Sequence, residues 1–210
     1  RDGGSEWGVR PLVADWSEFE VTHGGAAVGR AKWDLIGAHN AENALAAVLA
    51  ARHAGVEPRL GLAALGEFRN ARRRMEVRGT VRGVTVYDDF AHHPTAIATT
   101  LDGLRRRVGD ARILAVLEPR SATMKLGVHK DTLAGALDAA DRVWFYAPPD
   151  LGWSLADSIA PLGRRAATAV DVDALAAAVA TEARDGDHVL VMSNGGFGGL
   201  HGKLLAALAR

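Results

Sequence analysis

A chain of 210 residues with 25 basic and 25 acidic side chains carries no net charge, which argues against a nucleic-acid binder driven by positive potential. It has no cysteine, so disulfides, thiolate nucleophiles and sulfur-ligated metals are excluded together. The length suits one large domain, or one domain with part of another. The first residue is Arg1, and Arg1-Asp-Gly-Gly-Ser5 lacks the apolar core of a signal peptide. The Ala-rich run Ala44 to Ala51 is too short to span a bilayer. The expectation is a cytoplasmic, globular piece of a longer protein, with no membrane or nucleic-acid partner.

In chain order, residues 1–38 are rich in Gly and Trp. Alternating runs at Phe19-Glu-Val21 and Ala31-Lys-Trp-Asp-Leu-Ile36 predict edge strands, with turns at Gly24-Gly25 and Gly37. A helix follows with Asn40 as N-cap, Glu42 in the first turn and Ala44, Leu45, Val48, Leu49 and Arg52 at helical spacing. Gly55 suits its C-cap. A second helix is predicted from Pro58 to about Phe68, with Leu60, Ala64 and Leu65 facing inward. This first part reads as too small and strand-poor for a full domain.

The architecture changes near residues 69–74, dividing 1–72 from 73–210. Beyond it, predicted strands at Met75–Val77, Val84–Tyr87, Ile113–Leu117, Arg142–Tyr146 and His188–Met192 alternate with predicted helices at Thr95–Arg107, Lys130–Ala139, Val172–Ala183 and Leu200–Leu208. Such alternation predicts an α/β fold, a mostly parallel sheet with helices on both faces. The continuous apolar run Val189-Leu-Val-Met192 suits a central strand, and Pro148-Pro149 with Gly152 marks a longer loop.

Five groups could carry chemistry. Asp88, Asp89, His92 and His93 follow the strand at Val84–Tyr87, just where Pro94 opens a helix. Carboxylates can hold Mg²⁺ or a ribose hydroxyl, and imidazoles can donate to phosphate or act as acid and base. The plainer reading is a capped helix start. Ser193-Asn-Gly-Gly-Phe-Gly-Gly199 could bring backbone N–H groups to a carboxylate or phosphate, or could be only a tight turn with left-handed angles. In Leu117-Glu-Pro-Arg-Ser-Ala-Thr-Met-Lys-Leu-Gly127, Arg120 could grip a carboxylate in two places and Lys125 could add charge; a solvated loop is the alternative. His39, Asn40 and Asn43 surround one helix start, where amides can read a base edge or simply cap. Arg73 and Arg74 stand at the change of architecture, placed for a phosphate. Neither a nucleophile elbow nor a His-x-x-x-His zinc helix is present.

In this order, these segments resemble the Mur ligase family. Gly37-Ala-His-Asn-Ala-Glu-Asn-Ala-Leu-Ala-Ala47 is similar to the helix at the end of its central ATPase domain. Arg73-Arg-Met-Glu76 is similar to its interdomain arginine motif, and Tyr87-Asp-Asp-Phe-Ala-His-His-Pro94 to the opening of its C-terminal domain. The resemblance implies that residues 1–72 end the central ATP-binding domain and that 73–210 form a Rossmann-like C-terminal domain. It also implies an ATP- and Mg²⁺-dependent ligase that joins an amino acid or peptide to a UDP-linked muramic acid through an acyl-phosphate. The Glu118–Gly127 and Met192–Gly199 segments point to the tripeptide L-Ala-γ-D-Glu-meso-diaminopimelate and UDP-N-acetylmuramate as substrates, in peptidoglycan recycling. An L-alanine acceptor and, outside the family, a metal-dependent phosphoesterase are the alternatives.

By this resemblance Asn40 and Asn43, with His39, contact adenine, and Arg74 with Arg73 reaches the ATP phosphates. Asp89 holds the ribose, with Asp88, His92 and His93 lining the nucleotide side. Arg120, Lys125, Ser193 and Asn194 bind the peptide. The family's N-terminal UDP-binding domain and central P-loop are not in this chain, and most metal ligands are expected there. The chain alone is therefore expected to be inactive.

Overall fold

The computed structural model describes residues 6–147 and 151–210, so the loop expected at Pro148-Pro149 lies outside the described residues. Two compact units are present, residues 1–71 with 102–109 and residues 72–101 with 110–210.

In the first unit, β1 (Trp7–Pro11), β2 (Glu18–His23) and β3 (Ala26–Lys32) form an antiparallel sheet in that order. Gly24 and Gly25 turn β2 into β3 at positive φ, as their lack of a Cβ allows. The helices α1 (Ala38–His53) and α2 (Pro58–Leu65) follow. A core of Phe19, Val21, Trp33, Val48 and Leu62 holds the unit together.

Two local expectations fail here. Gly37, not Asn40, is the N-cap of α1; Asn40 lies in the first turn and its amide donates to the Ile36 carbonyl at 2.7 Å. On α2 the buried residue is Leu62, while Leu60 is 66% exposed and Ala64 is exposed too. The inward face is set by Leu62, which rests directly on Gly29 of β3.

The second unit contains β4 (Glu76–Val81), β5 (Val84–Asp89), β6 (Ile113–Leu117), β7 (Arg142–Tyr146), β8 (Ala166–Ala169) and β9 (His188–Met192). They form one six-stranded sheet in the order β4-β5-β9-β6-β7-β8, parallel except for the β4–β5 hairpin. The helices that follow are α3 (Pro94–Val108), whose residues 102–108 are grouped with the first unit, and α4 (Ala122–Lys125), α5 (Leu155–Ile159), α6 (Val172–Glu182) and α7 (Leu200–Leu208). The helix expected at Lys130–Ala139 is instead a run of turns with one 3-10 turn at Gly135–Leu137, in keeping with the weak helix propensity of Gly135. β8, an Ala-rich edge strand, has no β-branched pattern to announce it beyond Thr168.

Strand alternation sorts the sheet's two faces. Val84, Val86, Leu114, Val116, Val189 and Val191 pack under α6 and α7 with Leu175, Val179, Leu200 and Leu204. The intervening Ile113, Leu117, Leu190 and Met192 are equally buried on the opposite face. Register pairs Asp89 with Met192 and Met192 with Leu117, so the carboxyl ends of β5, β9 and β6 finish side by side. That edge is where open α/β sheets receive ligands.

Leu190, fully buried on the central strand, sets a test of this architecture. Leu190→Ala is expected to lower the unfolding free energy by about 2–5 kcal/mol, and Leu60→Ala by less than about 0.5 kcal/mol. Urea denaturation of both variants measures this, and equal losses would contradict the burial described.

Candidate functional site

Asp88 and Asp89 close β5 as neighbours on one strand, so their side chains leave opposite faces. Both residues are 3% exposed. Asp88 turns toward α7, where its carboxylate lies 3.2 Å from His201 Nε2 and 3.3 Å from Arg73 Nε. Asp89 turns toward α3. Its oxygens accept from the Met75 and Ala91 N–H groups, both at 2.8 Å, and more distantly from the Thr100 hydroxyl at 3.4 Å. Burial raises its carboxyl above the ordinary 3.8, opposed by those hydrogen bonds and by the charge of Arg74.

The segment before β4 is shaped by these two carboxylates. Arg73 and Met75 both have left-handed backbones, φ 60 and φ 52, and Arg74 stands exposed between them. Each such residue carries about 1 kcal/mol or more of strain that its surroundings must hold. The Glu76 carboxylate accepts from the Arg73 N–H at 2.9 Å, and the Arg73 carbonyl accepts from the Phe90 N–H at 2.9 Å. The Phe90 ring lies 5.4 Å from the Arg73 guanidinium and 5.6 Å from that of Arg74, within cation–π range.

At the start of α3, His93 Nδ1 accepts from the Ala96 N–H at 3.4 Å and so caps the helix ahead of Pro94. His92 Nδ1 lies 2.9 Å from the Phe90 carbonyl. The rings of His92 and His93 are 5.5 Å apart, and His129 stands 6.5 Å from His93. Partial burial, then the nearby charges of His92 and His129, lower the pKa of exposed His93. These effects favour the neutral imidazole of His93, which can exchange one proton.

Beyond β9, Ser193 is fully buried. Its N–H donates to the Asp89 carbonyl at 3.1 Å, and its hydroxyl bonds to Glu118 and accepts from the Gly195 N–H at 2.9 Å. Ser193 thus ties the tip of β9 to the loop after β6. Arg120, exposed on that loop, lies so close over Gly195 that a Cβ there would come within 2.0 Å of its guanidinium. Asn194 adds a buried Oδ1 without a hydrogen-bond partner. Arg120, Ser193 and Asn194 are therefore brought together. Lys125 ends α4 farther along the loop, where its carbonyl accepts from the Gly152 N–H at 3.3 Å. Left-handed angles at Phe197, Gly198 and Gly199 then turn the chain into α7, as the tight-turn reading required.

His39, Asn40 and Asn43 lie in α1 of the first unit, with His39 and Asn40 half-buried and Asn43 exposed. Sequence reasoning gave no role to Glu118, His129, His201 or Phe90. Glu118 adjoins Arg120 in the loop after β6, whereas nothing local marks His201, which lies in an apolar helix far along the chain. The four groups Asp88, Asp89, His92 and His93 do not converge as metal ligands. Among the described residues, no three or more His, Asp or Glu side chains are placed to hold a metal ion, which leaves the phosphoesterase alternative without a ligand set there.

The family model described as Mur ligase, glutamate ligase domain, matches residues 73–195. The chain belongs to the Mur ligase family. The UDP-N-acetylmuramate–L-alanyl-γ-D-glutamyl-meso-2,6-diaminoheptandioate ligase of Escherichia coli is 54% identical over 205 residues, 97% of this chain and 45% of the relative. A UDP-N-acetylmuramate–L-alanine ligase of a Mycobacterium species is 38% identical over 181 residues, 82% of this chain and 37% of the relative. The crystal structure of a murein peptide ligase from Psychrobacter arcticus superposes with a TM-score of 0.73 at 40% identity, covering 100% of this chain and 45% of that one. This Mur ligase chain spans about half the length of the curated relatives it matches.

Asp89 gives this Mur ligase edge a measurable signature. A carboxyl whose pKa is raised by folding contributes stability at pH below its unfolded value, and that stability is lost as pH rises through the folded value. Carbon-detected NMR titration of the Asp89 carboxyl is expected to give a midpoint above 3.8. A midpoint at or below that value would show a carboxylate stabilised in its charged form.

Proposed function

We propose that this chain is the C-terminal part of an ATP-dependent ligase that joins the tripeptide L-Ala-γ-D-Glu-meso-diaminopimelate to UDP-N-acetylmuramate, in the cytoplasmic recycling of peptidoglycan. The observation that carries the reading is the 54% identity to a ligase of that name across 97% of the chain, against 38% across 82% for an L-alanine ligase. Residues 1–72 end the central ATP-binding domain and 73–210 are the C-terminal Mur ligase domain.

The edge of the sheet fits such chemistry. Arg74 is exposed, with its guanidinium 5.6 Å from the Phe90 ring, and is assigned the ATP phosphates. Asn40 and Asn43, with His39, take the adenine. Asp89 is assigned the ribose, although a hydroxyl there must take the place of one of the donors it now accepts from. Arg120 and Asn194, with Lys125, take the peptide, and Ser193 holds their loop rather than facing a ligand. By the family resemblance, the Mg²⁺ ligands are assigned mainly to the N-terminal part of the whole enzyme.

The muramoyl carboxylate becomes an acyl-phosphate at the expense of ATP, and the tripeptide's L-Ala amine attacks that carbonyl and expels phosphate. Joining two bound, charged reactants depends chiefly on positioning and electrostatic stabilisation. This chain's part is to orient the amine and exclude water from the acyl-phosphate.

Phosphate release by the full-length protein, given ATP, Mg²⁺ and UDP-N-acetylmuramate, tests the reading with tripeptide and free L-Ala offered separately. Release with tripeptide alone is expected, and release with L-Ala alone would assign the biosynthetic reaction. Arg74→Ala is expected to remove about 2–4 kcal/mol of transition-state stabilisation, the scale for a preorganised charge. Arg120→Lys should raise the KM for tripeptide far more than that for ATP, because an ammonium cannot copy a two-pronged grip. Equal effects on both substrates would misplace the peptide side.

A further inference from the structure

His201 is 9% exposed on α7, one turn from the glycine-rich stretch that precedes the helix. Its Nε2 lies 3.2 Å from the Asp88 carboxylate yet lacks the alignment of a full hydrogen bond. The same carboxylate meets Arg73 Nε at 3.3 Å, and the Arg73 guanidinium also donates to the Ser193 carbonyl. One partly buried chain of contacts therefore runs from α7 through β5 to the segment before β4, and ends on the turn after β9.

Such a chain is a poor source of stability. Desolvating an arginine, a carboxylate and an imidazole offsets most of their attraction, and apolar replacements are often neutral or stabilising. Its effect is geometric. It grips Arg73 in a left-handed backbone, which fixes the direction in which Arg74 leaves the fold. Through the Ser193 carbonyl it also fixes the turn that carries Asn194 and faces Arg120.

We propose that His201 is a positioning residue that, through Asp88 and Arg73, holds Arg74 and the Ser193–Asn194 turn in register with each other. The inference rests on the functional reading above, in which Arg74 serves the nucleotide and Asn194 the peptide. A neutral His201 steadies the Asp88 carboxylate from the α7 side without drawing its charge away from Arg73. A protonated one adds a second cation competing for that carboxylate, and the register loosens. The charged groups facing His201 are Asp88 from β5, Arg78 from β4 and Arg73. On the packed helix α6, Asp173 is engaged by Lys203. Burial foremost, then the two arginines, keep the His201 pKa below its ordinary 6.5 against the pull of Asp88. Activity therefore falls as pH drops through that lowered value.

The test uses full-length protein and tripeptide-dependent phosphate release. His201→Gln keeps a neutral N–H donor and removes the titration. It is expected to keep kcat near pH 8 within about threefold and to lose the acid limb attributable to this group. His201→Leu leaves Asp88 with Arg73 alone, and is expected to raise KM for ATP and for tripeptide together by about tenfold or more, the scale of a small misplacement at a reacting centre. An acid limb in His201→Gln identical to that of the unsubstituted protein would overturn the proposal. So would a His201→Leu enzyme with native circular dichroism and both KM values unchanged. An unsubstituted protein that never releases phosphate in response to tripeptide would instead overturn the functional reading, and this role with it.

Discussion

Two adjacent carboxylates at the end of one strand organise the reactive edge of this fold. Because Asp88 and Asp89 alternate across the sheet, they cannot act as a pair; each is spent on a different face. Asp88 gathers Arg73 and His201 on the α7 side, and Asp89 gathers the Met75 and Ala91 N–H groups on the α3 side. The segment between Arg73 and Met75 is thereby held from both faces in a backbone it would not adopt alone. Removing either carboxylate takes away one of the contacts that oppose the strain at residues 73 and 75.

The neighbouring strands extend the same constraint. Ser193 follows β9, which pairs with both β5 and β6, and its hydroxyl and N–H join Glu118 to the Asp89 backbone. Arg120 can lie flat on the β9 turn only because residue 195 has no side chain. The exposed groups of this edge, Arg74, His93 and Arg120, each project from a backbone fixed by buried polar partners. Rigid support of exposed polar groups suits the proposed ligase reaction, in which most of the advantage lies in placement.

Much of this was legible in the sequence. The apolar strand at His188–Met192 and the helix opening at Pro94 carry strong local signals, because burial and proline geometry act at the residue itself. Motif resemblance assigned Arg74, Asp88, Asp89, His92 and His93 to a nucleotide and Arg120, Lys125, Ser193 and Asn194 to a peptide. What stayed hidden depends on packing. The alternation that should have separated Asp88 from Asp89 was visible, but their partners lie at Met75, Thr100 and His201, distances along the chain that no local pattern encodes. The same applies to Leu62, which is chosen over Leu60 by a glycine on β3, and to β8, whose alanines gain strand form only from pairing with β7.

The most direct measurement is amide hydrogen exchange of the full-length protein, alone and with a non-hydrolysable ATP analogue, UDP-N-acetylmuramate and tripeptide. The expected result is added protection at residues 73–75 and 90–93 with the nucleotide analogue, and at 119–125 and 193–196 only once tripeptide is present. Protection unchanged across all four segments, with turnover intact, would contradict the placement of the reaction at this edge.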